Sequence, residues 1–363
     1  MTNTTIPGGP AEVTADWLGS VLRTGGHAVD VDEVQVGAIG TGQTGATYRV
    51  GVTYRSNPEN LPPTFVVKLP SQEPEVRARA SFGYRAEHAF YTEVADSVRI
   101  PMPQCYHCAI GADGSDFVLL LSDMAPAEQG DQIAGCSAVD AELGARALAG
   151  LHGPRWSDPA WLNFTGAVMP KPDEAAAGGL GDIVRTATDI TLQRLGAQMS
   201  AEDRATLEEV AALIAPWLLL EPDRFSVLHG DFRLDNLLFD PAHTRVSVVD
   251  WQTLAVGLPA RDLAYFVASS LEPGLRARTE RDLVACYHGE LLRHGVSDYD
   301  LATCWNDYRL GMLQVPLITT LATAFVESTA RGDEVMLTMI RRSCQAIREL
   351  DTCALIRAAA SIS

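Results

Sequence analysis

Apolar and polar positions along the chain fall into two differently patterned stretches. Residues 10 to 25 read as a short amphipathic helix closed by Gly25. From Val34 the pattern becomes strand-like, through VQVGAIG, then ATYRVGVTYR with period-two alternation, then TFVVKLP. A helix is expected from about Glu73 to Val98. Two more strand-like runs follow, around CYHCAI and DFVLLLSDM, separated by the turn GADGS. After Met124 strands almost vanish. The rest reads as helical, except for two apolar strands flanking the loop within VLHGDFRLDNLLFD. The segment from Trp156 to Gly181, rich in Pro, Gly and Ala, reads as a loop-containing insertion. The expected class is α+β: a small β-rich lobe over residues 1–124, a larger α-rich lobe over 125–363, and a cleft between them.

Composition narrows the classes of function. A chain of 363 residues, at about 150 per domain, suggests two domains or lobes. With 47% hydrophobic and 20% charged residues it can bury a large core. The formal charge of -18 argues against a nucleic-acid partner, since the 28 Lys and Arg residues form no long basic run. The N-terminus has neither the basic nor the apolar region of a signal peptide. The apolar stretch Leu313 to Val326 is broken by Gln314 and threonines and reads as a buried helix, not a membrane span. A cytoplasmic protein without a membrane partner is expected; its oligomeric state is left open. Seven scattered cysteines fit reduced thiols. Cys105 and Cys108 have metal-like spacing, but with only His107 beside them they read as small hydrophobes on a strand.

The candidate chemistry lies in five places. GTGQTG supplies G-x-G-x-x-G at Gly40, Gly42 and Gly45. A dinucleotide fingerprint requires a helix after the glycines. A strand pattern follows here, so the motif reads as a hairpin whose backbone can approach a polyphosphate. Lys68 is a single charge in an apolar strand. Glu87 has Phe90, Tyr91 and Val94 at i+3, i+4 and i+7, which places it on the apolar face of its helix. A carboxylate there requires a cation, and Lys68 is the nearest candidate in strand order. His229, Asp231 and Asn236 form H-x-D-x-x-x-x-N, and Asp250 ends the next strand 14 residues after the asparagine. The hairpin at Asp240 to Thr244 brings Asn236 near Asp250. Their oxygens are hard ligands suited to Mg²⁺, while Asp231 is placed to accept a proton from a hydroxyl.

That order of motifs resembles the protein-kinase-like fold. HGD, DWQ and the stretch GLPARDLAYFVASSL resemble its small-molecule branch, the aminoglycoside phosphotransferase, choline kinase and ecdysteroid-kinase-like families. HGDFRLDNLLFDP is similar to phosphotransferase-like domains found beside acyl-CoA dehydrogenases. The resemblance covers about Val34 to Tyr308. It implies that Gly40 to Gly45 cover the phosphates of ATP and that Lys68, held by Glu87, contacts them. Asp231 would position or deprotonate the acceptor hydroxyl, and Asn236 and Asp250 would hold Mg²⁺. Asp262 would tie down the catalytic loop, and His229 and His152 would support it. LLLSDM resembles the hinge, with backbone groups near Ser122 and Met124 meeting adenine, although Ser122-Asp123 replaces the frequent Glu-Asp.

The resemblance implies a bilobal ATP-dependent small-molecule kinase. A pseudokinase regulating a partner is opposed by the complete catalytic set. A protein kinase is opposed by HGD, DWQ and the missing A-P-E motif. The acceptor side holds Trp156, Trp161, Phe164, Met169, Trp305 and Tyr308. An acceptor with apolar surface is expected in preference to an aminoglycoside or choline.

Overall fold

The structure, a computed structural model, describes residues 6–39, 45–220 and 223–361. The chain forms two compact units. One comprises the described residues of Met1–Asp96, Met102–Pro126 and Val249–Leu254; the other comprises those of Ser97–Pro101, Ala127–Val248 and Ala255–Ser363. The β-rich first part and helical remainder make this an α+β protein, as the patterning implies.

In the first unit, β1 (Asp30–Ile39), β2 (Gly45–Ser56), β3 (Thr64–Pro70), β4 (Cys105–Ile110) and β5 (Phe117–Ser122) form an antiparallel sheet in the order β1-β2-β3-β5-β4. Alternation gives each strand two faces. On one, Val50, Phe65, Val67, Leu69, Val118 and Leu120 pack with Leu18, Val21 and Leu22 of α1 (Ala15–Thr24). Burying each such side chain stabilises the fold by about 1.5–3 kcal/mol. Thr14 caps α1, its hydroxyl accepting from the Trp17 N–H at 3.2 Å. On the other face, Phe117, Leu119 and Leu121 pack with Tyr84 of α2 (Pro74–Ala89).

The helix expected to Val98 stops at Ala89. Phe90–Val94 continue as a π turn and Ala95–Ser97 as a 3₁₀ turn. Phe90 stacks on Trp251, with ring centroids 3.5 Å apart. On β4 a bulge between Cys105 and His107 lets both Cys105 and Cys108 pack on the α2 side. Burial pushes the Cys105 thiol up to about 11 and Cys108 higher still, so both remain protonated.

In the second unit, β6 (Glu128–Gln129), β8 (Leu237–Phe239) and β9 (Val246–Val248) form a small sheet, and β7 (Ser226–Leu228) pairs with β10 (Ala255–Gly257). Around them lie α3 (Ala138–His152), α4 (Glu174–Leu195), α5 (Ala201–Leu218), α6 (Ala260–Ser270), α7 (Pro273–Arg293), α8 (Leu301–Leu310), α9 (Gln314–Phe325), α10 (Ala330–Glu349) and α11 (Thr352–Ala360). The expected insertion is partly regular: Pro159–Asn163 make a 3₁₀ turn, and Asp173 caps α4, accepting from Ala176 N at 2.8 Å. Every residue of α6 is buried. Two glycines make that possible. A Cβ on Gly144 of α3 would stand 2.4 Å from the Phe266 ring, and one on Gly311 2.7 Å from the Ala260 carbonyl. The apolar stretch at Leu313 folds as α9, buried in its first half but exposed at Phe325, and Thr319, Thr320 and Thr323 each donate to the carbonyl four residues back. Among the described residues, no helix is long and apolar enough to cross a membrane.

Candidate active site

The first unit carries the candidate phosphate-binding cation. Lys68 lies in β3, a central strand, where it pairs with Thr47 on one side and Leu119 on the other. Its neighbours Val67 and Leu69 enter the α1 face, so alternation turns Lys68 to the α2 face. There its ammonium lies 2.8 Å from the Glu87 carboxylate and 3.0 Å from Asp250. Gln252 donates to the same Glu87 oxygen at 3.2 Å. Burial works against the charged form of Lys68, but Asp250 and Glu87 outweigh it and raise its pKa, so the ammonium persists. The two carboxylates differ in setting: Glu87 is 2% exposed at its side chain, Asp250 41%. Asp250 lies two residues beyond β9 with φ of +69°, not in the strand it was expected to end. Left-handed backbone is uncommon outside glycine and recurs at functional sites.

The second unit carries the loop between β7 and β8. The Asp262 carboxylate, on α6, accepts from the backbone N–H of His229 at 2.6 Å and of Gly230 at 3.1 Å. It also lies 3.3 Å from His152 Nε2, whose Nδ1 meets the Tyr287 hydroxyl at 2.8 Å. Asp262 and both histidines are fully buried. Asp262 therefore ties the loop down, and the two histidines are interior supports. Gly230 turns with φ of +83°, and its carbonyl accepts from Gln314 at 3.3 Å.

Beyond that turn, Asp231 is held from several sides. Tyr265 of α6 donates to Oδ1 at 2.5 Å, and Arg233 Nε donates to Oδ2 at 3.0 Å. Asn236 donates through Nδ2 to the Asp231 carbonyl at 2.8 Å and to Oδ2 at 3.3 Å. With its Nδ2 committed there, Asn236 presents the amide oxygen as its remaining donor to a cation. An amide oxygen and, in the first unit, the Asp250 carboxylate are each hard ligands of the kind Mg²⁺ takes.

Other expected positions are placed as follows. Gly40 and Gly42 lie outside the described residues, and Gly45 opens β2. Ser122 ends β5, with its hydroxyl accepting from Gln104 N at 3.0 Å and donating to Met124 Sδ at 3.6 Å. Arg49 grips the neighbouring Asp123 at 2.7 and 3.2 Å, so both polar side chains are used structurally at this strand end. The six aromatic and thioether residues differ in their settings. Tyr308 is buried and donates to Glu280 at 2.9 Å, and buried Trp161 lies under Arg155. Trp305 lies under Arg281, and Trp156 packs on Tyr299.

Motif reading missed Tyr265, Arg233, Gln252 and Gln314. Arg233 was visible two residues after Asp231. Tyr265 had a subtler signal, its place three residues after Asp262 on one helix face.

The fold is that of kinase-like phosphotransferases. A candidate aminoglycoside phosphotransferase from Ralstonia eutropha aligns over 92% of this chain and 97% of its own, with a TM-score of 0.54 and 18% identity. The GDP complex of wild-type aminoglycoside 2′-phosphotransferase-IIIa aligns over 91% of this chain and 98% of its own, at 0.53 and 12%. The sequence profile of the phosphotransferase enzyme family matches residues 36–299, and the chain belongs to that family. Acyl-CoA dehydrogenase family member 11 of Gallus gallus is 41% identical over 64 residues, which is 17% of this chain and 8% of that relative.

Replacing Asp262 by Ala would leave the His229 and Gly230 N–H groups buried without their acceptor. The expected cost is about 2–5 kcal/mol of stability. Urea unfolding measures it, and a loss under about 1 kcal/mol would show that the loop is held elsewhere.

Proposed function

We propose that the protein transfers the γ-phosphoryl group of ATP, used as its Mg²⁺ complex, to a hydroxyl of a small molecule. The observation that carries this reading is Lys68, a largely enclosed ammonium held between Glu87 and Asp250 in a member of a phosphotransferase family. In this reading the hairpin at Gly40, Gly42 and Gly45 covers the phosphates, and Lys68 neutralises their charge. Backbone groups near Ser122 and Met124 meet the adenine. Asp231 orients the acceptor hydroxyl and takes its proton as the oxygen attacks the γ-phosphorus and ADP leaves. Asn236 and Asp250 would hold Mg²⁺, which when bound offsets negative charge on the phosphates. Positioning and charge stabilisation dominate such a reaction, so few side chains suffice.

The acceptor proposed is an alcohol with apolar surface, of steroid-like, macrolide-like or hydroxyacyl type. Burial removes Trp161 and Tyr308 from the support for this. What remains is the insertion, where Leu162 and Val168 are exposed and Phe164 and Met169 half-buried. Turnover of γ-labelled ATP with competing acceptors tests the proposal. Apolar alcohols should be phosphorylated in preference to kanamycin-type sugars or choline, and the reverse order would refute it.

Three side chains have separable expected effects. Asp231→Asn should cut phosphotransfer by about 10²–10⁴ while ATP affinity stays near wild type. Retention of more than a third of wild-type turnover would remove Asp231 from the role of base. Asp250→Ala should abolish binding of the Mg·ATP complex in calorimetry, since neutral Asn236 cannot anchor the ion alone; wild-type affinity would rule the assignment out.

Lys68→Met should raise the ATP KM and lower turnover, with Glu87→Gln weaker in the same direction. The two losses should not add, because one ion pair presents the ammonium. Strictly additive losses in the double variant would separate the two residues.

A further inference from the structure

The contacts of Asp231 leave its carboxylate with an asymmetry. A carboxylate offers about four lone-pair directions, two on each oxygen. On Oδ2, Arg233 and Asn236 take both, at 3.0 and 3.3 Å. On Oδ1, Tyr265 takes one, at 2.5 Å. Arg233 is itself anchored at its other end, Nη1 donating to Asp235 at 2.6 Å. Oδ2 therefore faces a fixed cation and is the poorer proton acceptor.

We propose that Oδ1 is the oxygen that receives the acceptor's proton, and that Tyr265 is a positioning residue that aims it. This rests on the phosphotransferase reading and deepens it. Tyr265 suits the task because it is fully buried on α6, three residues from Asp262, so both side chains leave one face of the helix. Asp262 fixes the loop backbone at His229 and Gly230; Tyr265 fixes the carboxylate one residue further on. Burial first, and the Asp231 charge second, keep the phenol far above its ordinary pKa, so it stays a donor. During transfer the hydroxyl proton moves to Oδ1 as its oxygen bonds to the γ-phosphorus and the bond from that phosphorus to the departing ADP breaks, and the phenol keeps its own proton. Arg233 and Tyr265 together prevent the carboxylate from rotating.

Tyr265→Phe removes only the hydroxyl and tests the idea, with hydrolysis of Mg·ATP by water as the assay. The expected result is a kcat lower by about 10- to 100-fold, the scale of a misplaced reacting group. The ATP KM should change less than about threefold and the melting temperature little, a split that loss of packing alone would not give. In an Asp231→Ala background the same substitution should change kcat by less than about twofold. Arg233→Gln supplies a second arm, should Tyr265→Phe fold poorly. It too must lower kcat only where Asp231 is present. An unchanged kcat, or an equal loss with and without Asp231, overturns the proposal while leaving the phosphotransferase reading intact. A wild-type protein that neither binds nor hydrolyses Mg·ATP overturns both.

Discussion

The second unit depends on one buried carboxylate. Asp262 has no solvent contact, and an ion so placed is stable only when its oxygens are filled. They are filled by two consecutive backbone N–H groups and a histidine, drawn from the end of β7 and the end of α3. The position in the first turn of α6 adds the favourable field of the helix N-terminus. His152 passes the constraint to α7 through Tyr287. Burial of the first turn of α6 goes with this, because the carboxylate must sit where the end of β7 and the end of α3 both reach it. Gly144 and Gly311 are then required, since any side chain there would hold its neighbour away from α6.

The carboxylates of the site are unequally held. Glu87 is buried and fixed by both Lys68 and Gln252. Asp250 is far more exposed, and its left-handed backbone comes from a segment that leaves β9 after Val248. The same inequality recurs at Asp231, where Oδ2 is engaged on both lone pairs and Oδ1 on one.

Sequence legibility followed the reach of each physical signal. Strand-like runs of five or more residues located the five strands of the first unit, with period-two alternation plain in β2, and helical spacing put Glu87 on the apolar face of its helix with Lys68 the nearest cation in strand order. The loop residues from His229 to Asn236 were legible because a turn between two apolar runs needs only a few polar residues to stay solvated, and this one carries far more. Strands β6 and β10 were not legible: two or three residues carry no period. The π turn at Phe90 was hidden because a helical pattern continues through it, and what opens it is stacking on Trp251, far along the chain. The aromatic residues misled for a related reason. Tyr308 is large and apolar in sequence, but its burial depends on Glu280, which only tertiary structure brings to it. Tyr265 shows the opposite case, a residue that reads as helix core yet places its one polar atom on the loop.

Position 68 holds a lysine in a chain that otherwise favours arginine. Of the 28 basic side chains only two are lysines, Lys68 and Lys171. Arginine does the structural pairing elsewhere, gripping Asp123 from Arg49 and Asp307 from Arg224 through two hydrogen bonds each. The planar guanidinium fork is well suited to such fixed, bidentate contacts. Were the position on β3 needed only to neutralise Glu87, an arginine would fit the habit of this sequence. An ammonium is different: it is a compact point charge with three donors that can reorient. Two are already directed at Glu87 and Asp250, and the third can meet a further oxygen without disturbing them. A lysine among so many arginines therefore suits the phosphate contact proposed for Lys68, and structural pairing alone would not call for it.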